Sequence, residues 1–362
     1  MNYIILISTP DSRGLVHKIS SNLLDFNIEK NDEFVDKENE YFFMRTEISV
    51  EGNSSNINSS LGAPLALGEN FGEQQTPSLV LSPKFSPNTK LPPQILELDS
   101  SESSDSSLRG RIVDSHEAIQ KNQIDCHDSA FAESRNDESS VDSTQSAIES
   151  KLRAILPPQS FIKVTQKRKK SIVIFCTKEA HCLGDLLMKH YNNELDIDIK
   201  AVISNYESLQ SLVEKFHIPY FHISHNGADY ENAMLEVCAR FAPDFIVLAK
   251  YMRILSPYFI AHYENRIINI HHSFLPAFIG ANPYKQAYTR GVKIIGATAH
   301  FVTSELDSGP IICQDIMQVN HTLSWRDMQK AGKNIERVVL ARAVELAIDE
   351  RIFIHKNKTI IF

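Results

Sequence analysis

The sequence predicts a mixed α/β chain. An N-terminal ferredoxin-like α+β domain, interrupted by an unstructured insertion, is followed by a Rossmann-like doubly wound domain. Three observations carry this. The segments flanking a Ser-rich acidic stretch make a β-α-β-β-α-β series. That stretch, about residues 52–143, lacks the apolar content of a core. From Ser171 onward, apolar strand runs alternate with helical patterns. A length of 362 residues suits about two such domains.

The N-terminal elements follow in order. Tyr3–Thr9 is a short β-rich run, and Asp11-Ser12-Arg13-Gly14 is a turn. Leu15, Ile19, Leu23 and Leu24 recur at helical spacing until Asn27 ends the helix. Strands cover about Ile28–Val35 and Tyr41–Val50. Beyond the insertion, Ser146–Leu156 reads as a helix stopped by Pro157-Pro158, and Phe161–Val164 alternates as a strand. The expected domain boundaries are 1–166 and 167–362.

Between Glu51 and Ser150 about 28% of residues are apolar, against 42% overall, and 21 are serine. The same window holds 16 acidic and 6 basic residues, about −10, so the remainder of this −8 chain is near +2. Such a segment cannot bury enough surface to offset chain entropy. It reads as a tolerated surface insertion or as a phosphorylation or partner-binding tail. Lys167-Arg168-Lys169-Lys170 reads as a solvated linker between the domains.

In the second half, Ser171–Cys176 is a near-continuous apolar run, as in a buried parallel strand. Further strands are expected at Ile197–Ser204, Pro219–Ile223, Phe245–Ala249 and Arg266–His271. Helices are expected at Cys182–Tyr191, Tyr206–Phe216, Tyr230–Phe241 and Ser256–Tyr263. After Pro276 come strands near Ile294–Val302 and Ile311–Met317, a long helix over Ser324–Asp349, and a closing hairpin about Lys356-Asn357.

Composition excludes several functions. A charge of −8 and a pI near 6.0 leave no basic footprint for nucleic acid or an anionic membrane surface. There is no apolar run long enough to cross a membrane and no secretory n-region at Met1–Ile4. Five cysteines without metal-ligand spacing suit a reducing cytoplasm. No metal or other cofactor is expected.

The chemistry is concentrated in Asn269-Ile270-His271-His272-Ser273-Phe274-Leu275-Pro276. Alternation puts Asn269 and His271 on one face, about 7 Å apart along a strand, and His272 on the other. Both lie at the strand's C-terminal end, where doubly wound sheets hold ligands. An amide and an imidazole could together hold an oxyanion; read alone, the pair also suits a structural role. Asp307, in the turn Asp307-Ser308-Gly309-Pro310, could make an Asx turn or could charge a histidine and hold a water.

Three stretches together resemble the folate-dependent formyltransferase family. They are Val247–Leu255, Asn269-x-His271-x-Ser273-x-Leu275-Pro276, and Gly296-x-Thr298-x-His300 with Asp307-x-Gly309-Pro310. The resemblance implies a catalytic set of Asn269, His271 and Asp307. It also implies a folate pocket about Arg253, Ile254 and Leu255 and about Thr303, Ser304 and Glu305, with His300 at the site or supporting it. Pro10-Asp11-x-x-Gly14-Leu15-Val16 resembles an ACT domain. This implies an amino-acid effector and a homo-oligomer, a dimer or tetramer, although Asp11 and Gly14 also suit a simple turn.

An ACT-like half ahead of Lys178-Glu179-Ala180-His181-Cys182-Leu183-Gly184 is similar to the hydrolytic, deformylase branch of that family. Lys178, Glu179 and His181 are then candidate lining residues, and Cys182 a buried helix-start residue. The loop Lys178–Cys182 contains no glycine to open a phosphate cradle. The expected reaction is hydrolysis of 10-formyltetrahydrofolate to formate and tetrahydrofolate, in support of purine synthesis. Formyl transfer to an amine such as a ribonucleotide, and a non-catalytic folate or amino-acid sensor, are the rival readings.

Overall fold

The computed structural model describes residues 1–50, 131–226, 229–277 and 282–362, the side chains of 131–142 excepted. Met1–Gly52 and Arg135–Phe362 cluster as one unit; the other, Asn53–Ser134, falls almost wholly outside the described residues. The expected insertion therefore lies largely outside them too.

The N-terminal part is a four-stranded antiparallel sheet with order β2-β3-β1-β4. Its elements are β1 (Asn2–Pro10), α1 (Leu15–Ser21), β2 (Asn27–Asp36), β3 (Tyr41–Ser49), α2 (Phe131–Ile155) and β4 (Phe161–Gln166). This is the expected β-α-β-β-α-β order. Tyr3, Ile5 and Ile7 alternate onto one face and pack against Leu15, Ile19, Ile148 and Leu152 of the two helices. The other face presents Ile4, Leu6 and Phe43.

Helix α2 departs from expectation. It starts at Phe131, within the segment read as unstructured through residue 143. Among its described side chains the first buried one is Ile148, on the apolar stripe that periodicity marks.

The second part is a seven-stranded sheet of order β11-β10-β9-β8-β5-β6-β7. Strands β5 (Lys170–Cys176), β6 (Ile197–Ser204), β7 (Tyr220–His222), β8 (Phe245–Ala249) and β9 (Ile267–His271) are parallel. Strands β10 (Ile294–Phe301) and β11 (Ile311–Gln318) are antiparallel additions at one edge. Between them come α3 (His181–Tyr191), α4 (Gln210–Glu214), α5 (Tyr230–Phe241), α6 (Pro257–His262), α7 (Pro283–Arg290) and α8 (Trp325–Ile348). A hairpin of β12 (Ile352–His355) and β13 (Lys358–Ile361) closes the chain.

Apolar side chains of β5, β6 and β8 are buried on both faces, with Ile172 and Ile174 in one core cluster and Val173 and Phe175 in another. This is the pattern of a parallel sheet covered by helices on both sides. The expected helix over Tyr206–Phe216 shrinks to one turn at α4, and α7 was not expected. It opens at Asn282, whose φ of 57° provides the sharp entry, and carries proline at its first position.

Residues 167–169 form the exposed link expected between β4 and β5, and Lys170 departs from that reading. Each residue meets an acid: Lys167 with Glu47 at 2.9 Å, Arg168 with Asp244 at 2.6 Å, Lys169 with Asp196 at 3.6 Å. Lys170 opens β5, is buried, and pairs with buried Glu350 just beyond α8. Phe353, Ile360 and Phe362 of the hairpin cover Ile4, Leu6 and Phe43. The end of the chain thus seals the free face of the N-terminal sheet.

Candidate active site

The candidate site lies where β9 and β10 run antiparallel. Their register sets His300 opposite Asn269 and Thr298 opposite His271. Thr298 holds the turn after β9: its hydroxyl donates to Ser273 O at 2.9 Å and accepts from Leu275 N at 3.1 Å. This explains the spacing Gly296-x-Thr298-x-His300, in which alternate residues share a face.

Asn269 Nδ2 donates to His300 Nε2 at 3.1 Å. His300 Nδ1 lies 2.9 Å from Phe301 O, a group that can only accept. Nδ1 therefore carries the hydrogen, and Nε2 offers its lone pair to Asn269. Burial pushes the His300 pKa below its usual value, favouring this neutral form. The Asn269 amide is thereby fixed, with a second N–H left to offer.

Asp307 arrives from the turn after β10. Its Oδ1 lies 3.3 Å from His271 Nδ1 and 3.8 Å from His300 Nε2. The hydrogen bond from His271 holds its carboxyl below the usual carboxylate range, so it is ionised at neutral pH. The backbone of Asp307 is left-handed, with φ of 54°. A Cβ at Gly309 would sit 1.8 Å from Phe301 O, so glycine is needed for the turn to fold back onto β10. His271 is 5% exposed, and its Nε2 is buried without a partner. That atom is poised to meet a ligand.

The sequence-predicted residues divide into groups. Asn269, His271, Asp307 and His300 come together. Arg253 is in the loop after β8, donating Nη2 to His225 Nε2 at 2.8 Å. Beside it Ile254 is 71% exposed, while the Leu255 side chain packs in the core. Thr303, Ser304 and Glu305 occupy the turn before Asp307, where the Thr303 hydroxyl donates to Glu305 O at 3.2 Å. Both loops follow the C-terminal end of a strand or its antiparallel partner.

Lys178 stands apart, its ammonium 4.5 Å above the Tyr206 ring. Glu179 and His181 belong to a second cluster that sequence reading did not find. His181 Nε2 donates to Glu336 Oε2 at 2.8 Å, Lys250 Nζ lies 3.1 Å from the same oxygen, and Tyr284 Oη donates to Oε1 at 2.7 Å. Burial alone would raise the Glu336 pKa; the His181 hydrogen bond and the Lys250 charge override it and bring it to about 2. The readable signal was an acid on the apolar stripe of α8, between Ile335 and Val339.

Donor atoms of His181, Cys182 and Glu336 lie within 4.8 Å of one another, a grouping absent from linear spacing. Burial pushes the Cys182 thiol well up, so it stays protonated, and the Lys250 ammonium already neutralises Glu336. Around Glu336, the His181, Lys250 and Tyr284 side chains form an ion-pair and hydrogen-bond network. The same burial argues against Cys182 as a nucleophile.

The family model for formyl transferase matches residues 170–344. Formyltetrahydrofolate deformylase of Haemophilus influenzae is 53% identical over 213 residues, spanning 58% of this chain and 77% of that protein. This chain belongs to the formyltetrahydrofolate deformylase family. The Escherichia coli (strain K12) deformylase is 52% identical over 213 residues, with 58% and 76% covered. The crystal structure of a deformylase from Pseudomonas syringae pv. tomato aligns over 100% of this chain and 94% of its own, at 30% identity and a TM-score of 0.71. A glycinamide ribonucleotide transformylase from Symbiobacterium toebii aligns over 54% of this chain and 96% of its own, at 26% identity and a TM-score of 0.52. Deformylase likeness thus extends through the N-terminal sheet, and transformylase likeness covers about half the chain.

Proposed function

We propose that this deformylase-family chain hydrolyses 10-formyltetrahydrofolate to formate and tetrahydrofolate with Asn269, His271 and Asp307. The observation that carries the residue assignment is the unpartnered His271 Nε2 beside the fixed Asn269 amide. A formyl oxygen seated there meets the second Asn269 N–H and, once His271 is protonated, its Nε2–H as it becomes an oxyanion. Asp307 orients a water and takes its proton, directly or through His271. The water oxygen bonds to the formyl carbon, and the tetrahedral adduct collapses. The C–N10 bond breaks, N10 takes a proton, and formate leaves. Every step is acid–base chemistry within reach of these side chains, so the reading needs no cofactor.

The folate is read as lying along the loops of Arg253–Leu255 and Thr303–Glu305, which flank the catalytic set. Lys178 lines the far side, near Tyr206. The N-terminal sheet is read as an ACT domain that takes an amino-acid effector and pairs with another copy, giving a dimer or tetramer. A cytoplasmic role in supplying formate for purine synthesis completes the reading. Among the described residues, no helix is long and apolar enough to cross a membrane.

A product assay tests the function. Purified chain and 10-formyltetrahydrofolate in water should release formate in step with tetrahydrofolate. Glycinamide ribonucleotide should neither accelerate nor divert that release. Saturable formylation of the nucleotide above the hydrolytic rate would favour a transferase.

A further inference from the structure

Lys250 directly follows the central strand β8, in a conformation that lysine rarely takes. Its φ is 60°, the left-handed region that glycine enters freely. The Thr177 hydroxyl holds it there by donating to Lys250 O at 2.8 Å. The side chain is buried, and its ammonium meets Glu336 Oε2 at 3.1 Å.

The surroundings are built around this pair. Tyr284 reaches Glu336 only because residue 332 is glycine: a Cβ there would lie 2.0 Å from the tyrosine oxygen. Lys250 and Glu336 line a cavity of about 380 Å³, shared with Glu179, Lys333, Lys285 and His272. None of the catalytic residues lines it, and of the expected folate-binding residues Glu179 alone does. Its wall residue His272 directly follows His271, with the two ring centroids 5.3 Å apart. The chain therefore has a second compartment beside its catalytic histidine.

A hydrolase needs one organic ligand compartment, whereas a formyl transferase needs a second for its acceptor. Three lysines and two carboxylates are among the residues lining this one. Both carboxylates are taken, Glu336 by Lys250 and Glu179 by Lys333 at 3.1 Å. An amine entering here meets net positive charge and no free anion to hold it or accept its proton. Water enters without that penalty.

We infer that Lys250 determines acceptor specificity: paired with Glu336 beside His272, it bars amines from the second compartment and leaves water as the formyl acceptor. This rests on the hydrolytic reading above. In its absence an amine nitrogen would bond to the formyl carbon, the C–N10 bond would break, and a proton from the amine would pass to N10. The products would be a formylamine and tetrahydrofolate.

The test uses the full chain, 10-formyltetrahydrofolate and glycinamide, with formate and N-formylglycinamide both quantified. Wild-type formate release without glycinamide checks the hydrolytic reading, and its absence would overturn that reading and this inference together. With release established, the partition decides the inference alone. Wild type should give formate only. Lys250→Gly relieves the backbone and frees Glu336; Lys250→Met keeps the stem without the charge. Both should raise the formylamine-to-formate ratio at least about tenfold. Folded variants that release formate alone would overturn the inference. So would wild type that already formylates glycinamide, a result that stands even if neither variant folds.

Discussion

Asn269 and His300 face each other across β9 and β10, and the asparagine amide donates to the imidazole lone pair at 3.1 Å. His300 is itself tied to Phe301 O at 2.9 Å, so the arrangement runs one way: backbone fixes His300, and His300 fixes Asn269. This makes His300 a positioning residue whose role differs from that of Asn269. His300→Phe removes the acceptor and frees the amide to rotate. We expect kcat to fall about 10- to 100-fold with KM for the folate little changed. His300→Gln, which retains an acceptor oxygen, should recover part of the loss. Equal losses in both variants would reduce His300 to a packing residue.

Asp307 allows a separation of charge from shape. Its left-handed backbone, φ 54°, is tolerated by asparagine better than by alanine. Asp307→Asn should therefore keep Tm near wild type while kcat falls about a hundredfold or more. Asp307→Ala should lose the same activity and some stability besides. Wild-type turnover in folded Asp307→Asn would remove the carboxylate from the mechanism.

The Asn269–His271 part of the candidate site was legible because strand alternation is local. Asn269 and His271 share a face whatever surrounds them, and the register with β10 then brings His300 across. Strands β6 and β8 and helix α5 fall where apolar patterning puts them. The second cluster was not legible, because Lys250, Tyr284 and Glu336 meet only through packing of α7 and α8 over the strand ends. Nor was α7 itself, an eight-residue helix whose start depends on the left-handed backbone of Asn282. The pairing of Lys170 with Glu350 was hidden for a similar reason: 180 residues separate two side chains buried together.

His272 gives a pH dependence of stability. Burial, then the charge of Lys250, lowers its pKa from 6.5 to about 4. As pH falls through 6.5 the unfolded chain takes up a proton at His272, whereas the folded chain resists until about 4. Stability from this group is thus present above pH 6.5 and is lost as pH falls from 6.5 to about 4. Asp307 and Glu336, held below the usual carboxylate range, do not titrate in the upper part of that window. Denaturant titrations at stepped pH should show wild type weakening across it and His272→Asn weakening less. Parallel curves would mean that the imidazole is protonated as readily in the folded chain.

Arg45 tests how the two sheets are joined. It lies on β3 and is 2% exposed. Its Nε donates to Glu350 O at 3.0 Å and its Nη2 to Asp349 O at 2.7 Å, just past the end of α8. A cation there meets the negative end of the helix and carbonyls with no partner inside it. Its Nη1 also lies 2.7 Å from Glu47. Arg45→Ala leaves both carbonyls without this donor and Glu47 with Lys167 alone. Removing one partner from such a buried network costs about 2–4 kcal/mol. Arg45→Lys should recover only part, because one ammonium cannot reproduce the forked geometry that reaches both carbonyls. Urea denaturation should show a lower midpoint at unchanged slope if the two sheets still unfold together. A second transition in Arg45→Ala would show that this side chain couples them, and an unchanged midpoint would show that the hairpin and Lys170–Glu350 suffice.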